Sequence, residues 1–173
     1  MTKHVRVAII GAGFGGIATA LAFAREGIED FVILERAGDV GGVWRDNTYP
    51  GLACDVPSSF YSLAGAPNPD WRQTFSRGAQ IREYLRHVAD REGVRPRVRF
   101  GQELLVATWD DTRHRWAIRA TSLELTADVL VDCAGGLADP VVPALPGLAS
   151  FEGQTFHSAR WDHEHVFSGA ERV

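Results

Sequence analysis

The stretch Val5-Arg6-Val7-Ala8-Ile9-Ile10-Gly11-Ala12-Gly13-Phe14-Gly15-Gly16-Ile17, followed by an alanine- and leucine-rich run to Arg25 and then by Phe31-Val32-Ile33-Leu34-Glu35, decides the fold. Residues 5–10 read as a short buried strand, apolar except for Arg6. A glycine cluster then breaks the apolar run. Residues 17–25 read as an apolar helix ending near Gly27, and residues 31–34 as a second buried strand capped by Glu35. Strand, glycine turn, helix and strand make a βαβ unit, hence an α/β fold with a parallel sheet.

Gly11, Gly13 and Gly16 form a G-x-G-x-x-G with Phe14 and Gly15 inside it. Gly11 permits the tight turn out of the strand, Gly13 lets a pyrophosphate approach the backbone, and Gly16 allows helix and strand to pack closely. The helix N-terminus presents free N–H groups and a positive dipole end to phosphates. Glu35 stands 19 residues after Gly16, where a carboxylate accepts from a ribose 2′-hydroxyl. A 2′-phosphate would be repelled there, so the first site should take FAD or NAD rather than NADP. Without a ligand, the same residues read as a βαβ packing turn beside a solvated Glu35.

Residues 7–24 are an uncharged run of 18, which imitates a spanning helix behind Lys3 and Arg6. Four glycines within it (Gly11, Gly13, Gly15 and Gly16) argue against both a membrane span and a signal peptide. The chain has 173 residues, 45% hydrophobic and 23% charged, as expected of a globular domain rather than a disordered one. A formal net charge of −4 argues against nucleic acid as a partner. Cys54 and Cys133 give no disulfide framework and no C-x-x-C, so a reducing cytoplasm is expected. His163-Glu164-His165 is too closely spaced for a helical metal pair, and no metal site is expected.

The loop after the second strand reads Gly41-Gly42-Val43-Trp44-Arg45-Asp46-Asn47-Thr48-Tyr49-Pro50-Gly51-Leu52-Ala53-Cys54-Asp55. A long loop carrying a Trp, a Tyr and a lone acid suggests a site, although Trp44 and Tyr49 could be loop packing and Asp55 a turn residue. Further on comes Phe151-x-Gly153-x3-His157-x3-Trp161-Asp162, about 100 residues away. Together the two motifs resemble those of the Baeyer–Villiger monooxygenases, flavoproteins related to the flavin-containing monooxygenases. The resemblance covers essentially the whole chain.

That resemblance implies a Rossmann-like FAD-binding domain, incomplete, with an inserted antiparallel β meander. It implies that Gly42 and Val43 to Asp46, including Trp44 and Arg45, line the flavin, that Tyr61 contacts FAD, that Val106 meets the adenine through its backbone, and that Ala134 and Gly135 pass beneath the pyrophosphate. Asp55 would be the catalytic carboxylate, beside an arginine from a second nucleotide domain for which this sequence has no match. Phe151, Gly153, His157 and Trp161 would form the hinge fingerprint. The implied divisions are residues 1–140 for the FAD-binding portion, 141–167 for a linker marked by Pro140, Pro143 and Pro146, and 168–173 for the start of an NADPH-binding domain. The whole enzyme would use FAD, NADPH and dioxygen to convert ketones to esters or lactones. This piece alone is expected to bind FAD weakly or not at all and to be inactive. A flavin monooxygenase acting on nitrogen or sulfur, and a non-catalytic dinucleotide-binding module, are the alternatives.

Between the motifs, residues 80–92 read as an amphipathic helix burying Ile81, Tyr84, Leu85, Val88 and Ala89, with Trp71 and Phe75 as packing anchors. Residues 98–100, 104–109 and 116–121 read as strands, Leu123 and Leu125 as a third meander strand, and residues 127–133 as a separate parallel strand. Cys133 reads as a small buried residue.

Overall fold

The computed structural model describes residues 3–167. The expected start of an NADPH domain at residues 168–173 lies outside them. Strands β1 (Lys3–Ile10), β2 (Phe31–Glu35), β3 (Val98–Phe100), β4 (Leu104–Asp110), β5 (Arg115–Ala120) and β6 (Glu124–Asp132) form one mixed sheet in the order β3-β2-β1-β6-β5-β4. β1 is central, parallel to β2 and β6, and β3 is parallel to β2. The helices are α1 (Phe14–Arg25), the single turn α2 (Val43–Asp46) and α3 (Gly78–Arg91).

Alternation along β1 and β2 gives the sheet two buried faces. Val7, Ile9, Phe31 and Ile33 pack against Ile17, Ala20 and Leu21 of α1 and Leu85, Val88 and Ala89 of α3. On the other face Ala8, Ile10, Val32 and Leu34 pack against Ile118, Ala120, Leu125 and Ala127. The meander is therefore present, but it does not end before a new strand begins. Leu125 and residues 127–132 lie on the single strand β6, which pairs antiparallel with β5 through residues 124–127 and parallel with β1 along its length. Leu125 and Ala127 share a face at a spacing of two, so one pleated strand satisfies both partners without a turn. Of the two expected anchors of α3, Trp71 packs on Tyr84 at 5.2 Å between ring centroids, whereas Phe75 is half exposed.

Two clamps hold the loops that approach the C-terminal ends of β1 and β2. Tyr84 Oη, buried in α3, accepts from Leu63 N–H (2.7 Å) and donates to Ala66 C=O (2.7 Å). Burial pushes its phenol up from the ordinary tyrosine range, against the opposing effect of the Leu63 N–H. Asp39, between β2 and α2, faces Arg95 Nη2 at 3.0 Å, Arg86 Nε at 3.2 Å and Arg82 Nη2 at 3.8 Å, and accepts from Val40 N–H. Burial disfavours its charge, but the Arg95 and Val40 hydrogen bonds and the Arg86 and Arg95 charges outweigh it, so its carboxyl lies below its ordinary value.

A group depressed in the folded state stabilises above its unfolded pKa, and that contribution disappears as pH falls through the folded value. Asp39→Asn should therefore lower unfolding free energy by about 2 kcal/mol at about pH 7, the worth of charge-assisted hydrogen bonds. The deficit should shrink as pH falls below the ordinary aspartate value of 3.8 and vanish only below the lower value held in the folded chain. Urea titrations of both proteins across that range check it; a deficit independent of pH would exclude the electrostatic origin.

Candidate functional site

At the C-terminal edge of β1 and β2 lies a cleft of about 700 Å³. Its floor is Ile10, Gly11, Gly13, Phe14 and Gly15. One wall is Leu34, Glu35 and Arg36 with Gly41 to Asp46, and another is Asp132 to Gly135 with Ala138 and Asp139. Phe60, Tyr61 and Ser62 close one end, and Gln102, Glu103 and Leu104 the other. This is where ligands enter open α/β sheets.

The glycine turn supplies the shape. Gly11 adopts φ +94°, and a Cβ there would lie 2.6 Å from Cys133 O. A Cβ on Gly16 would lie 1.9 Å from Gly11 O. The close approach at Gly16 is thus to the carbonyl of its own turn more than to the strand. Gly13 crosses Gly42, whose Cβ at φ +54° would stand 3.1 Å from Gly13 Cα. Helix α1 begins at Phe14, earlier than the expected residue 17, with Ile17 N–H making the first bond back to Gly13 C=O (3.0 Å). Its N-terminus has no side-chain cap and no acid in its first turn. The first N–H groups and the dipole's positive end therefore face the cleft unneutralised, as anion binding requires.

Glu35 is not a solvated residue: it is only 4% exposed. Oε2 accepts from Ala12 N–H (2.8 Å), while Oε1 accepts from Ala37 N–H (2.8 Å) and Arg45 Nη1 (3.0 Å). Arg45 also grips Asp46 through Nε (2.7 Å) and Nη2 (2.9 Å) and donates to Asp39 C=O. Burial opposes the charge on Arg45, but the Asp46 and Glu35 carboxylates overcome it and raise its pKa. The pair is buried, and one lone pair on Glu35 Oε2 remains for a ligand hydroxyl.

Of the expected contact residues, Gly11, Gly13, Phe14, Gly15, Glu35, Gly42, Val43, Trp44, Arg45, Asp46, Tyr61, Ala134 and Gly135 line this cleft, and Gly16 supports its floor from behind. Three placements differ. Val106 lies outside the lining, exposed beside an irregularity in β4, whereas Gln102 to Leu104, at the entry to that strand, line the cleft. Asp55 is exposed and outside the lining of this cleft: Cys54 N–H bonds to Ser76 C=O (3.0 Å) and Ala53 bridges Arg77, turning Cys54 inward and Asp55 out. Cys133 is half-buried and lines the cleft.

The fingerprint residues do not converge on one point. Phe151 is exposed and packs over Gly153, where a Cβ would lie 2.5 Å from its ring. His157 Nδ1 accepts from Ala159 N–H (3.0 Å) and caps a single turn at Ser158–Arg160. Trp161 meets Phe156 edge to face at 4.9 Å, and His165 and Phe167 extend that aromatic group. The His163-Glu164-His165 segment is thus more than solvated surface: His163 Nε2 also lies 2.8 Å from Thr48 Oγ1. Trp161 and Arg160 border a second, smaller cleft that shares Arg36, Arg45, Asp46 and Glu103 with the first. Among the described residues no cluster of three metal-ligating side chains occurs, and no helix is long and apolar enough to cross a membrane.

Arg36 was not foreseen in the site. It bonds Asp139 (2.7 Å) and Ala138 C=O (3.0 Å), tying the wall after β6 to the wall after β2. Its position next to Glu35 was the one available signal.

An uncapped helix over a glycine turn, a buried acid at the end of β2 and a meander on the far face define a dinucleotide-binding domain of the flavoprotein kind. The model of the flavin-binding monooxygenase-like proteins matches residues 4–173, and the chain belongs to that family. It is 57% identical over 167 residues to a Baeyer–Villiger monooxygenase of Streptomyces coelicolor, covering 96% of this chain and 32% of that one. Cyclohexanone monooxygenase from Rhodococcus sp. Phi1, solved bound to NADP+, superposes with a TM-score of 0.83 at 31% identity, over 96% of this chain and 32% of that one. The OTEMO complex with FAD and NADP gives 0.80 at 28% identity, over 94% and 31%. The chain spans about a third of the length of the relatives it matches.

Proposed function

We propose that this chain is the FAD-binding portion of a monooxygenase of the Baeyer–Villiger type, the whole protein converting ketones to esters or lactones with NADPH and dioxygen. The observation that carries the reading is the uncapped N-terminus of α1 facing the same cleft as buried Glu35. A phosphate and a ribose placed there find the complements they need. FAD, when bound, supplies the redox chemistry that activates dioxygen. The chain's own groups would bind and orient it: the N–H groups of Phe14 and Gly15 would hold the pyrophosphate, Glu35 Oε2 the ribose, and Trp44 and Tyr61 the flavin half. Asp55 faces solvent and would act only opposite a cation supplied from beyond the described residues. The division into residues 1–140, 141–167 and 168–173 belongs to the same proposal, as do a small ketone and dioxygen as partners and a cytoplasmic location.

That the chain spans about a third of the length of its relatives argues for weak cofactor retention by these 173 residues. We expect FAD to bind it weakly and reversibly in equilibrium dialysis, more tightly than NADP, and we expect no oxygenation of a ketone by the chain alone. FAD failing to bind at millimolar concentration would overturn the cofactor assignment. Ester formation by the chain alone would overturn its reading as a portion of the enzyme.

A further inference from the structure

We infer that Arg36 and Asp139 form a clasp holding residues 134–140 as a strap across the adenosine half of the cleft, and that its opening sets how fast the cofactor enters and leaves. The inference rests on the FAD reading and extends it from the cofactor's contacts to its exchange.

The two sides of the clasp are built differently. Arg36 follows β2 directly and stands on fixed backbone. On one side of it, the Glu35 carboxylate accepts from Ala12 N–H and Arg45, and Glu35 C=O accepts from Gln102 N–H (2.9 Å). On the other, Ala37 N–H donates to Glu35 Oε1 (2.8 Å) and Ala37 C=O accepts from Gly101 N–H (3.2 Å). The strap opposite has no such support. Cys133 N–H bonds to Ile10 C=O (2.9 Å) and Ala134 N–H to Asp132 Oδ1 (2.9 Å), and there the regular bonding of β6 ends. Among the described residues, the hydrogen bonds that reach residues 135–142 both come from Arg36: Nη1 to Asp139 Oδ1 (2.7 Å) and Nη2 to Ala138 C=O (3.0 Å). The foot of the strap is free to swing. Gly135 has φ +78°, a Cβ on Gly135 or Gly136 would meet nothing within 4 Å, and Leu137 is 81% exposed. Arg36 is thus the polar tether between a rigid arm and a loose strap.

Position gives the clasp its role. Arg36, Ala138 and Asp139 all line the cleft, so the pair joins one wall to the other. Glu35, the ribose acceptor of the FAD reading, is the residue next to Arg36. A dinucleotide whose ribose reaches Glu35 therefore lies beside the clasp and passes it on entry and on exit. The pair is not a buried structural link, because the Arg36 and Asp139 side chains are 33% and 72% exposed. An ion pair so exposed shifts an equilibrium by about fivefold at most. That is too little to hold a fold together and enough to bias a strap between closed and open. The ordering of a strap by one weak pair places its opening at the low end of local stability, where ligand gates are found.

The test compares the 173-residue chain with Asp139→Asn, Arg36→Gln and the double variant. Thermolysin, which cuts on the amino side of exposed apolar residues, reads the strap without any ligand. Cleavage before Leu137 should run about threefold to fivefold faster once either partner is replaced, while the urea midpoint stays at the native value. Cleavage at the native rate in both variants overturns the clasp. Stopped-flow flavin fluorescence reads the gate. In Asp139→Asn, FAD entry and release should both quicken about threefold, with Kd moved less than about twofold, because a gate acts on both directions alike. The double variant should match Arg36→Gln, since the partners share one bond; rates that multiply overturn the pairing. Tighter binding by Asp139→Asn through slower release would mean that Arg36, once freed, serves the ligand directly, and it overturns the gate, as does a change confined to release. A native chain that binds no FAD overturns the cofactor reading and the gate with it, while the thermolysin rates still decide whether Arg36 and Asp139 hold the strap.

Discussion

Replacing Gly16 with alanine is expected to remove about 4 kcal/mol or more of folding free energy, enough to leave a marginal domain largely unfolded. The added methyl would sit 1.9 Å from Gly11 O and 3.8 Å from Ile9 Cγ2. The carbonyl is backbone at the start of a turn that has φ +94° at Gly11 and whose N–H is bonded to Leu34 C=O at 2.8 Å, so it has no soft direction in which to retreat. Relief would require α1 to lift from the sheet by more than an ångström, opening the contact of Ile17, Ala20 and Leu21 with β1, all of them now buried. Close-packed interiors do not absorb such a displacement. The control is Gly38→Ala: Gly38 is exposed, its φ is not positive, and a Cβ there meets nothing within 4 Å. That variant should melt within a degree or two of the native chain. Denaturant titration followed by circular dichroism checks both. A Gly16→Ala chain as stable as the control would refute the close-approach account of the turn.

The contrast between these glycines shows how far the site could be read before the fold was known. Gly11, Gly13 and Gly16 were legible because their constraint is local: strand, turn and helix are contiguous, and the spacing of the motif states the geometry. Glu35 was legible for the same reason, but its burial was not, because that depends on Ala12 N–H arriving from 23 residues away and on Arg45 folding back over it. Arg36 and Asp139 meet across 103 residues, and no periodicity announces such a pair. Asp39 reads as an ordinary loop acid until α3 brings Arg86 and the 95–97 turn brings Arg95 against it. β6 was read as two strands because its polar residues, Thr126 and Asp128, interrupt the apolar run. In the structure Leu125 and Ala127 face the meander core between them, so alternation and not interruption was the operative pattern. Which way Asp55 turns is likewise decided by partners, Ser76 for its neighbour Cys54 and Arg77 for Ala53, that lie outside its motif.

Glu35→Gln should be the most damaging near-isosteric change in the site. The side chain keeps its volume, so packing is nearly constant and the electrostatics are isolated. Three donors converge on two oxygens: Ala12 N–H on one, Ala37 N–H and the Arg45 guanidinium on the other. Glutamine offers one acceptor oxygen and one NH2 group, and either orientation sets that NH2 against at least one donor. If it faces Ala12, a fully buried N–H is orphaned; if it faces Arg45, two donors lose their acceptor and a cation side chain only 11% exposed loses one of its two anions. Orphaned buried donors and a half-broken buried ion pair each cost on the order of 1–3 kcal/mol, and Asp46 limits the second by keeping its fork on Arg45. A loss of about 3 kcal/mol in unfolding free energy follows, measurable by urea titration. The same substitution removes the anionic acceptor proposed for the ribose, so FAD affinity should fall at least tenfold in dialysis. A Glu35→Gln chain of native stability would mean that the buried carboxylate is not the hub joining the turn, the loop and Arg45. A stable chain with unchanged FAD affinity would mean that the ribose lies elsewhere.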